Sequence, residues 1–281
     1  MTIDILSDLH LDFYFNSELK TDEDTVKSIF DPIFLNNSTK EPSKVLIIAG
    51  DIGHYNLQNI EVLKIFQKRY YKYIVCVLGN HDYYLLNESI KEKYKNNSFN
   101  RAKELKELIN NEENIYCLDG DIVDIEGIKF GGAMSWYSDD YMKTYFPNDL
   151  VNQINNNWKQ DNSDSKYIFN PSIKNFDDIL KLELPKIEAV YKKCDIMITH
   201  INPSFKHSHI NKAYKDDKNN TFFTSNMHKY IYNGNMKYWV FGHTHDEIEY
   251  IIDNVKCICN PMGYPNESQY GDWVWIKTIE V

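Results

Sequence analysis

The chain has 281 residues, of which 42% are hydrophobic, and its formal net charge is −10. This size predicts one domain over residues 1–281, with insertions at about 12–43 and 135–175. An acidic chain repels nucleic-acid backbones and anionic membranes, so non-specific binding to either is not expected. No apolar run approaches the roughly 18 residues of a membrane span.

Cysteine usage points to a reducing compartment. The five cysteines are odd in number, and their spacings match neither a disulfide scaffold nor a zinc knuckle. The first residues, MTIDILSDLHLDF, lack the basic start of a secretory signal. We therefore expect reduced, mostly buried thiols and a cytoplasmic location.

Short apolar runs rich in Val, Ile, Tyr and Cys predict strands along the chain. In chain order they cover residues 3–6, 44–50, 73–79, 114–118, 128–134, 195–200, 238–243, 247–252, 255–260 and 273–279. Segments with helical spacing lie between several of them, which predicts an α/β sandwich with sheets inside and helices outside. The first insertion contains a predicted helix at 22–34. The second is aromatic and polar, which predicts an ordered, partly irregular cap.

Five of these runs end in residues that can bind metal ions. The residues are Asp8 and His10, Asp51, Asn80 and His81, His200, and His243 and His245. Ligands of α/β proteins gather at the carboxyl ends of strands, so we expect these side chains to converge. Carboxylate, amide and imidazole without thiolate suit Mn, Fe, Zn, Co or Ni better than calcium or magnesium.

The ordered set Asp-x-His, Gly-Asp, Gly-Asn-His-Asp, His and Gly-His-x-His resembles the calcineurin-like metallophosphoesterase superfamily, in its small phosphodiesterase-type members. The resemblance implies a four-layer α/β/β/α sandwich of two mixed sheets flanked by helices. It also implies a centre of two divalent ions. The implied ligands are Asp8, His10 and His245 for one ion, Asn80, His200 and His243 for the other, and Asp51 as the bridge.

The same resemblance implies hydrolysis of a phosphoester, with a hydroxide between the two ions attacking phosphorus in line. His81 would face the scissile phosphate and give a proton to the leaving oxygen. Mn²⁺ is the expected metal, and the expected substrate is a small phosphodiester, for which a nucleotide-type ester is one candidate. The alternatives are a phosphomonoesterase, a nuclease, or a binding scaffold with this fold and no catalysis.

One position departs from the family pattern. Many members have an acidic or amide residue three positions after the bridging aspartate, where it orients the histidine of the Gly-Asn-His motif. Here that position is His54, which cannot act as a carboxylate toward His81. Asp82 is a candidate for that role, and two readings of His54 stay open: a contact to the substrate phosphate, or a histidine that merely borders the site.

Overall fold

The computed structural model describes residues 1–15, 21–35, 41–148, 151–267 and 274–281. Its α-helices lie between the strands along much of the chain. They are α1 (Leu11–Tyr14), α2 (Glu23–Leu35), α3 (Asn56–Arg69), α4 (Glu88–Lys93), α5 (Ser98–Asn110), α6 (Asp140–Tyr145), α7 (Val151–Asp161), α8 (Ser163–Tyr167), α9 (Asp177–Val190) and α10 (His228–Asn233). Within these ranges no helix is both long enough and apolar enough to cross a bilayer.

The strands form two mixed sheets. The strands are β1 (Thr2–Leu6), β2 (Val45–Ala49), β3 (Tyr73–Val77), β4 (Ile115–Cys117), β5 (Asp121–Ile125), β6 (Ile128–Gly132), β7 (Ile196–Ile198), β8 (Tyr238–Phe241), β9 (Ile248–Ile252), β10 (Val255–Cys259) and β11 (Lys277–Glu280). The strand orders are β11-β1-β2-β3-β4 and β5-β6-β7-β8-β10-β9. Strands β1 to β4 are mutually parallel, and so are β6, β7, β8 and β10.

The two sheets pack face to face through small aliphatic side chains. Ile5, Ile47 and Val75 of the first sheet share one buried cluster with Ile198 and Val240 of the second. The opposite face of each sheet is covered by helices, with α2, α3 and α5 on the first and α9 and α10 on the second. The predicted four-layer sandwich is therefore confirmed.

The predicted insertions contain helices. In the first, α2 packs Phe30 and Phe34 against Phe66 of α3, close to the predicted helix at 22–34. The second contains α6, α7 and α8. Strand β5 was not predicted, and β11 begins at Lys277, later than the predicted run; residues 268–273 lie outside the described part of the chain.

Candidate metal centre

The predicted metal ligands follow strands that run in the same direction. Asp8 and His10 come after β1, Asp51 after β2, Asn80 after β3, His200 after β7, and His243 and His245 after β8. Parallel strands place their carboxyl ends at one edge of a sheet, and the two sheets are packed together. The seven side chains consequently meet in one place.

The backbone at these strand ends takes an unusual conformation. Among the described residues, eleven that are not glycine have positive φ. Five of them are predicted ligands: Asp8, His10, Asp51, His243 and His245. Each such residue costs free energy that the surrounding fold must offset, and residues of this kind cluster at functional sites.

Glycine lets the strand ends approach each other closely. A Cβ atom on Gly79 would lie 2.1 Å from Asp51 Oδ1, and one on Gly242 would lie 2.8 Å from Asp8 Oδ2. Both distances are far below van der Waals contact. The glycines before Asn80 and His243 are therefore required by packing around the two carboxylates.

Three side-chain atoms converge on one point of the site. Asn80 Oδ1 lies 2.9 Å from His200 Nε2 and 3.1 Å from His243 Nδ1, and the two imidazole nitrogens are 3.2 Å apart. Asp51 Oδ2 is 3.3 Å from His200 Nε2. Four potential ligand atoms thus lie within the reach of a single ion.

The donor groups of these side chains face outward and are occupied. Their acceptors are Asp164 Oδ1 at 2.7 Å for Asn80 Nδ2, the Ala49 carbonyl at 2.9 Å for His200 Nδ1, and the Phe222 carbonyl at 2.9 Å for His243 Nε2. With His200 neutral, as a metal ligand must be, the inward atoms are acceptors that face one another. Such an arrangement fits a cation, because lone pairs at hydrogen-bond distance repel without one.

A second group lies on the other side of Asp51. His10 Nε2 is 3.0 Å from His245 Nε2 and 3.7 Å from Asp51 Oδ2, and His245 Nε2 is 3.6 Å from Asp8 Oδ1. His245 donates through Nδ1 to Glu267 Oε2 at 2.5 Å, which turns Nε2 inward. Asp51 therefore contacts both groups, as a bridging carboxylate would.

The electrostatics of the site favour positive charge. Burial lowers the pKa of His10 and of His243 to about 3, which keeps both imidazoles neutral as metal ligands must be. Burial acts in the same direction on His200, but the carboxylates of Asp51 and Asp8 outweigh it and raise that pKa to about 9. The two buried carboxylates thus attract a cation.

His81 stands beside the ligand groups and is tied to a buried chain of hydrogen bonds. Its Nδ1 lies 2.9 Å from His54 Nε2, and His54 Nδ1 donates to Asp12 Oδ2 at 2.6 Å. His81 Nε2 lies 3.4 Å from the Tyr264 hydroxyl. His54 therefore contacts the Nδ1 side of His81. This chain has no carboxylate at position 54, and Asp12 supplies one that reaches His81 through His54.

Asp82 does not take that role. Its carboxylate accepts hydrogen bonds from the backbone amides of Gly79 at 2.8 Å, Gly53 at 3.2 Å and Ile52 at 3.3 Å. These contacts join the loops that follow β2 and β3. Asp82 thus fixes the backbone that carries Asp51 and Asn80.

The profile of the calcineurin-like phosphoesterase family matches residues 1–247. The chain belongs to this family. An uncharacterized protein, L509, of Acanthamoeba polyphaga mimivirus is 26% identical over 276 residues, which cover 93% of this chain and 91% of that one. The phosphopantetheinyl hydrolase of Mycobacterium tuberculosis has a similar structure, with a TM-score of 0.62 and 14% identity, covering 99% of this chain and 95% of that one. At that identity the structural likeness shows the fold.

Membership of the family supports metal-dependent hydrolysis of phosphoesters and implies a dinuclear divalent centre, for which the clustered Asp and His side chains are candidate ligands. The centre opens into a cavity of about 660 Å³. One wall comes from the predicted cap, with Asn157, Asn162 and Asp164, and another from the segment 210–224. Tyr264 and Glu267 line a third side.

Sequence reasoning missed the residues that support the ligands. Asp12, Asp164 and Glu267 each accept a hydrogen bond from a predicted site residue, yet none belongs to a motif. Asp12 is two positions from His10 and could have been suspected from the missing acidic partner of His81. Asp164 and Glu267 carry no signal, because nothing in their local sequence distinguishes them from the other carboxylates of the chain.

Proposed function

We propose that the protein is a phosphodiesterase that depends on two divalent metal ions. The observation that carries the proposal is the convergence of Asn80 Oδ1, His200 Nε2 and His243 Nδ1, each within 3.2 Å of the others, with their donor groups turned outward. Each inward atom can donate an electron pair to an ion, and with the donor groups occupied elsewhere the neutral side chains have no proton to share among these atoms.

The proposed roles follow the two groups of side chains. Asn80, His200 and His243 would hold one ion, Asp8, His10 and His245 would hold the other, and Asp51 would contact both. When bound, the two ions supply Lewis acidity and a nucleophilic water at neutral pH. Mn²⁺ is the proposed metal, and Fe, Zn, Ni or Co would fit the same nitrogen and oxygen donors.

His81 is the proposed general acid. In this scheme His54 carries a proton on each ring nitrogen. Its Nδ1–H donates to the carboxylate of Asp12 and its Nε2–H donates to His81 Nδ1, so His81 carries its own proton on Nε2. His81 Nε2–H can then pass its proton to the leaving alkoxide while the Nε2 proton of His54 moves to His81 Nδ1, which leaves both imidazoles neutral. In this scheme His54 positions His81 and does not contact the substrate.

Preference for a diester rests on the cavity beside the centre. Its volume of about 660 Å³ accommodates an organic group much larger than phosphate itself. A diester places one such group on each side of phosphorus.

The expectation of a cytoplasmic protein rests on five free cysteines, all of them buried thiols.

The test uses protein stripped with a chelator and then supplied separately with Mn²⁺, Ni²⁺, Zn²⁺ or Mg²⁺. Bis(p-nitrophenyl) phosphate and p-nitrophenyl phosphate are the substrates, and Asn80→Ala is the variant. Asn254→Ala, in the exposed turn between β9 and β10, is the matched control. We expect metal-dependent hydrolysis of the diester, lost in Asn80→Ala and kept in the control.

Other outcomes separate the alternatives. Faster hydrolysis of the monoester would identify a phosphatase. Tight binding of two ions without turnover of either ester would favour a scaffold.

A further inference from the structure

We propose that the substrate carries a single phosphoryl group and that the part of it bound in the cavity is uncharged or cationic. The inference rests on the proposed function, because it places that phosphoryl group at the metal centre. It concerns the remainder of the substrate and the walls that would contact it.

Among the described residues, the cavity offers neither a lysine nor an arginine side chain to a second phosphate. The whole sequence has two arginines: Arg69 pairs with Asp31 on the surface of α2, and Arg101 is buried behind the site. Arg101 donates to the carbonyl oxygens of Gly53 and His81, so its charge is not presented to a ligand.

The walls are acidic instead. Asp217, Asp246 and Glu267 all line the cavity. Asp217 accepts from the backbone amide of Asn219, and Asp246 from the side-chain amide of Asn211, so both carboxylates are held by uncharged donors. A second anionic group in this cavity would face like charge, which is unfavourable in a recess where the field is concentrated.

The remaining lining suits an uncharged organic group. The rings of Tyr214 and Phe223 are 53% and 39% exposed, and both line the cavity. The Phe223 ring lies 5.1 Å from that of His243, next to the metal centre. Five asparagines, at 157, 162, 211, 219 and 220, add neutral donors and acceptors. Aromatic faces and amides recognise neutral groups, and aromatic faces next to carboxylates also accept cations.

A matched pair of substrates tests the inference. Thymidine 5′-(p-nitrophenyl phosphate) and its 3′-phosphorylated form share the scissile diester and differ by one phosphate. With the metal-loaded protein we expect kcat/KM to be at least about tenfold lower for the 3′-phosphorylated ester, the size expected for a like-charge contact. Calorimetry should show the same preference for thymidine 5′-monophosphate over thymidine 3′,5′-bisphosphate.

Each outcome decides something. Equal or better use of the 3′-phosphorylated ester, or equal binding of the bisphosphate, would overturn the inference while leaving the phosphodiesterase proposal intact. If no diester is hydrolysed but thymidine 5′-monophosphate still binds about tenfold more tightly than the bisphosphate, the proposed function fails and the charge preference stands. If neither nucleotide binds and no diester is hydrolysed, both are overturned.

Charge variants localise the effect. Asp217→Asn combined with Asp246→Asn keeps both acceptor oxygens and removes two charges from the cavity wall, so the preference should shrink at least about threefold. Asp124→Asn combined with Asp253→Asn removes two exposed charges, one in edge strand β5 and one in the turn between β9 and β10. An equal reduction in this control would attribute the preference to net charge and overturn the role of the cavity.

Discussion

The carboxylate of Asp164 accepts a 2.7 Å hydrogen bond from the side-chain amide of Asn80, although 84 positions separate the two residues. Asp164 also accepts from the hydroxyls of Tyr84 and Tyr137 and is buried. Because Nδ2 of Asn80 is held in this way, its Oδ1 faces His200 and His243. A residue of the predicted cap thus orients a candidate ligand at a strand end.

Replacement of Asp164 by alanine should weaken metal binding by about 10- to 100-fold, the usual effect of removing a group that orients a ligand. The reason is that the amide of Asn80 becomes free to rotate. Calorimetric titration of chelator-stripped protein with Mn²⁺ measures the loss. Asp24→Ala, whose side chain is 92% exposed on α2, serves as the control. Equal affinity in the two variants would contradict the orienting role.

Loss of His81 should depend on the leaving group. A p-nitrophenolate leaves without a proton, whereas a phenolate or alkoxide needs one. His81→Gln should therefore reduce kcat by about 100-fold or more for methyl phenyl phosphate, within the range of general acid catalysis, and much less for methyl p-nitrophenyl phosphate. An identical loss for both esters would show that His81 acts by binding the substrate.

His54→Gln and Asp12→Asn should show the same dependence on the leaving group at a smaller size, because both residues act through His81. The hydrogen bonds that join them are 2.9 Å and 2.6 Å long. The double variant His54→Gln/His81→Gln should be no slower than His81→Gln alone. Fully additive losses would mean that His54 acts independently of His81.

Gly79→Ala should abolish metal binding and activity, since its Cβ would lie 2.1 Å from Asp51 Oδ1 and displace that carboxylate. Gly127→Ala is the comparison: it has a φ of +88° and no neighbouring atom within 4 Å of the added Cβ. That change should lower the free energy of unfolding by about 1–2 kcal/mol and leave activity unchanged. Metal titration and urea unfolding of both variants test the contrast.

Acidification should destabilise the protein partly through His209. Its Nδ1 contacts Ser204 Oγ at 2.7 Å, and burial lowers its pKa to about 4. The imidazole of His209 takes up a proton near pH 6.5 in the unfolded chain but only near pH 4 in the folded chain. The contribution of neutral His209 to the free energy of unfolding is therefore complete above pH 6.5 and is lost as the pH falls from about 6.5 to about 4. Urea unfolding at pH 7.5 and 5 should show a drop about 1 kcal/mol larger in the wild type than in His209→Gln. Parallel curves would contradict the assignment.

The strands that carry the site were predictable because they are buried on both faces. Residues 73–77, YIVCV, read as one apolar run, as expected of a parallel strand inside a sandwich. Strand β5, DIVDI, escaped prediction for the opposite reason. It lies at the edge of its sheet with Asp121 and Asp124 exposed, and such charges protect an edge while masking the strand pattern.

The local sequence by itself determined which residues are candidate metal ligands, because each motif is a short segment at the end of a buried strand. Asp8 and His10, or His243 and His245, are two positions apart, and the strand carries both to the same edge. These side chains converge with Asp51 because the strands that carry them pair in parallel within each sheet. The alternation of strands and helices along the chain already predicts parallel strands.

Only the tertiary structure decided what surrounds those ligands. Asp164 reaches Asn80 from the cap, Glu267 reaches His245 from a segment near the end of the chain, and Asp12 reaches His81 through His54. These contacts join segments that share no sequence motif and no common pattern of hydrophobic residues. They form because buried imidazoles and amides must find acceptors when the layers pack, and the packing alone determines which carboxylates are near enough to provide them.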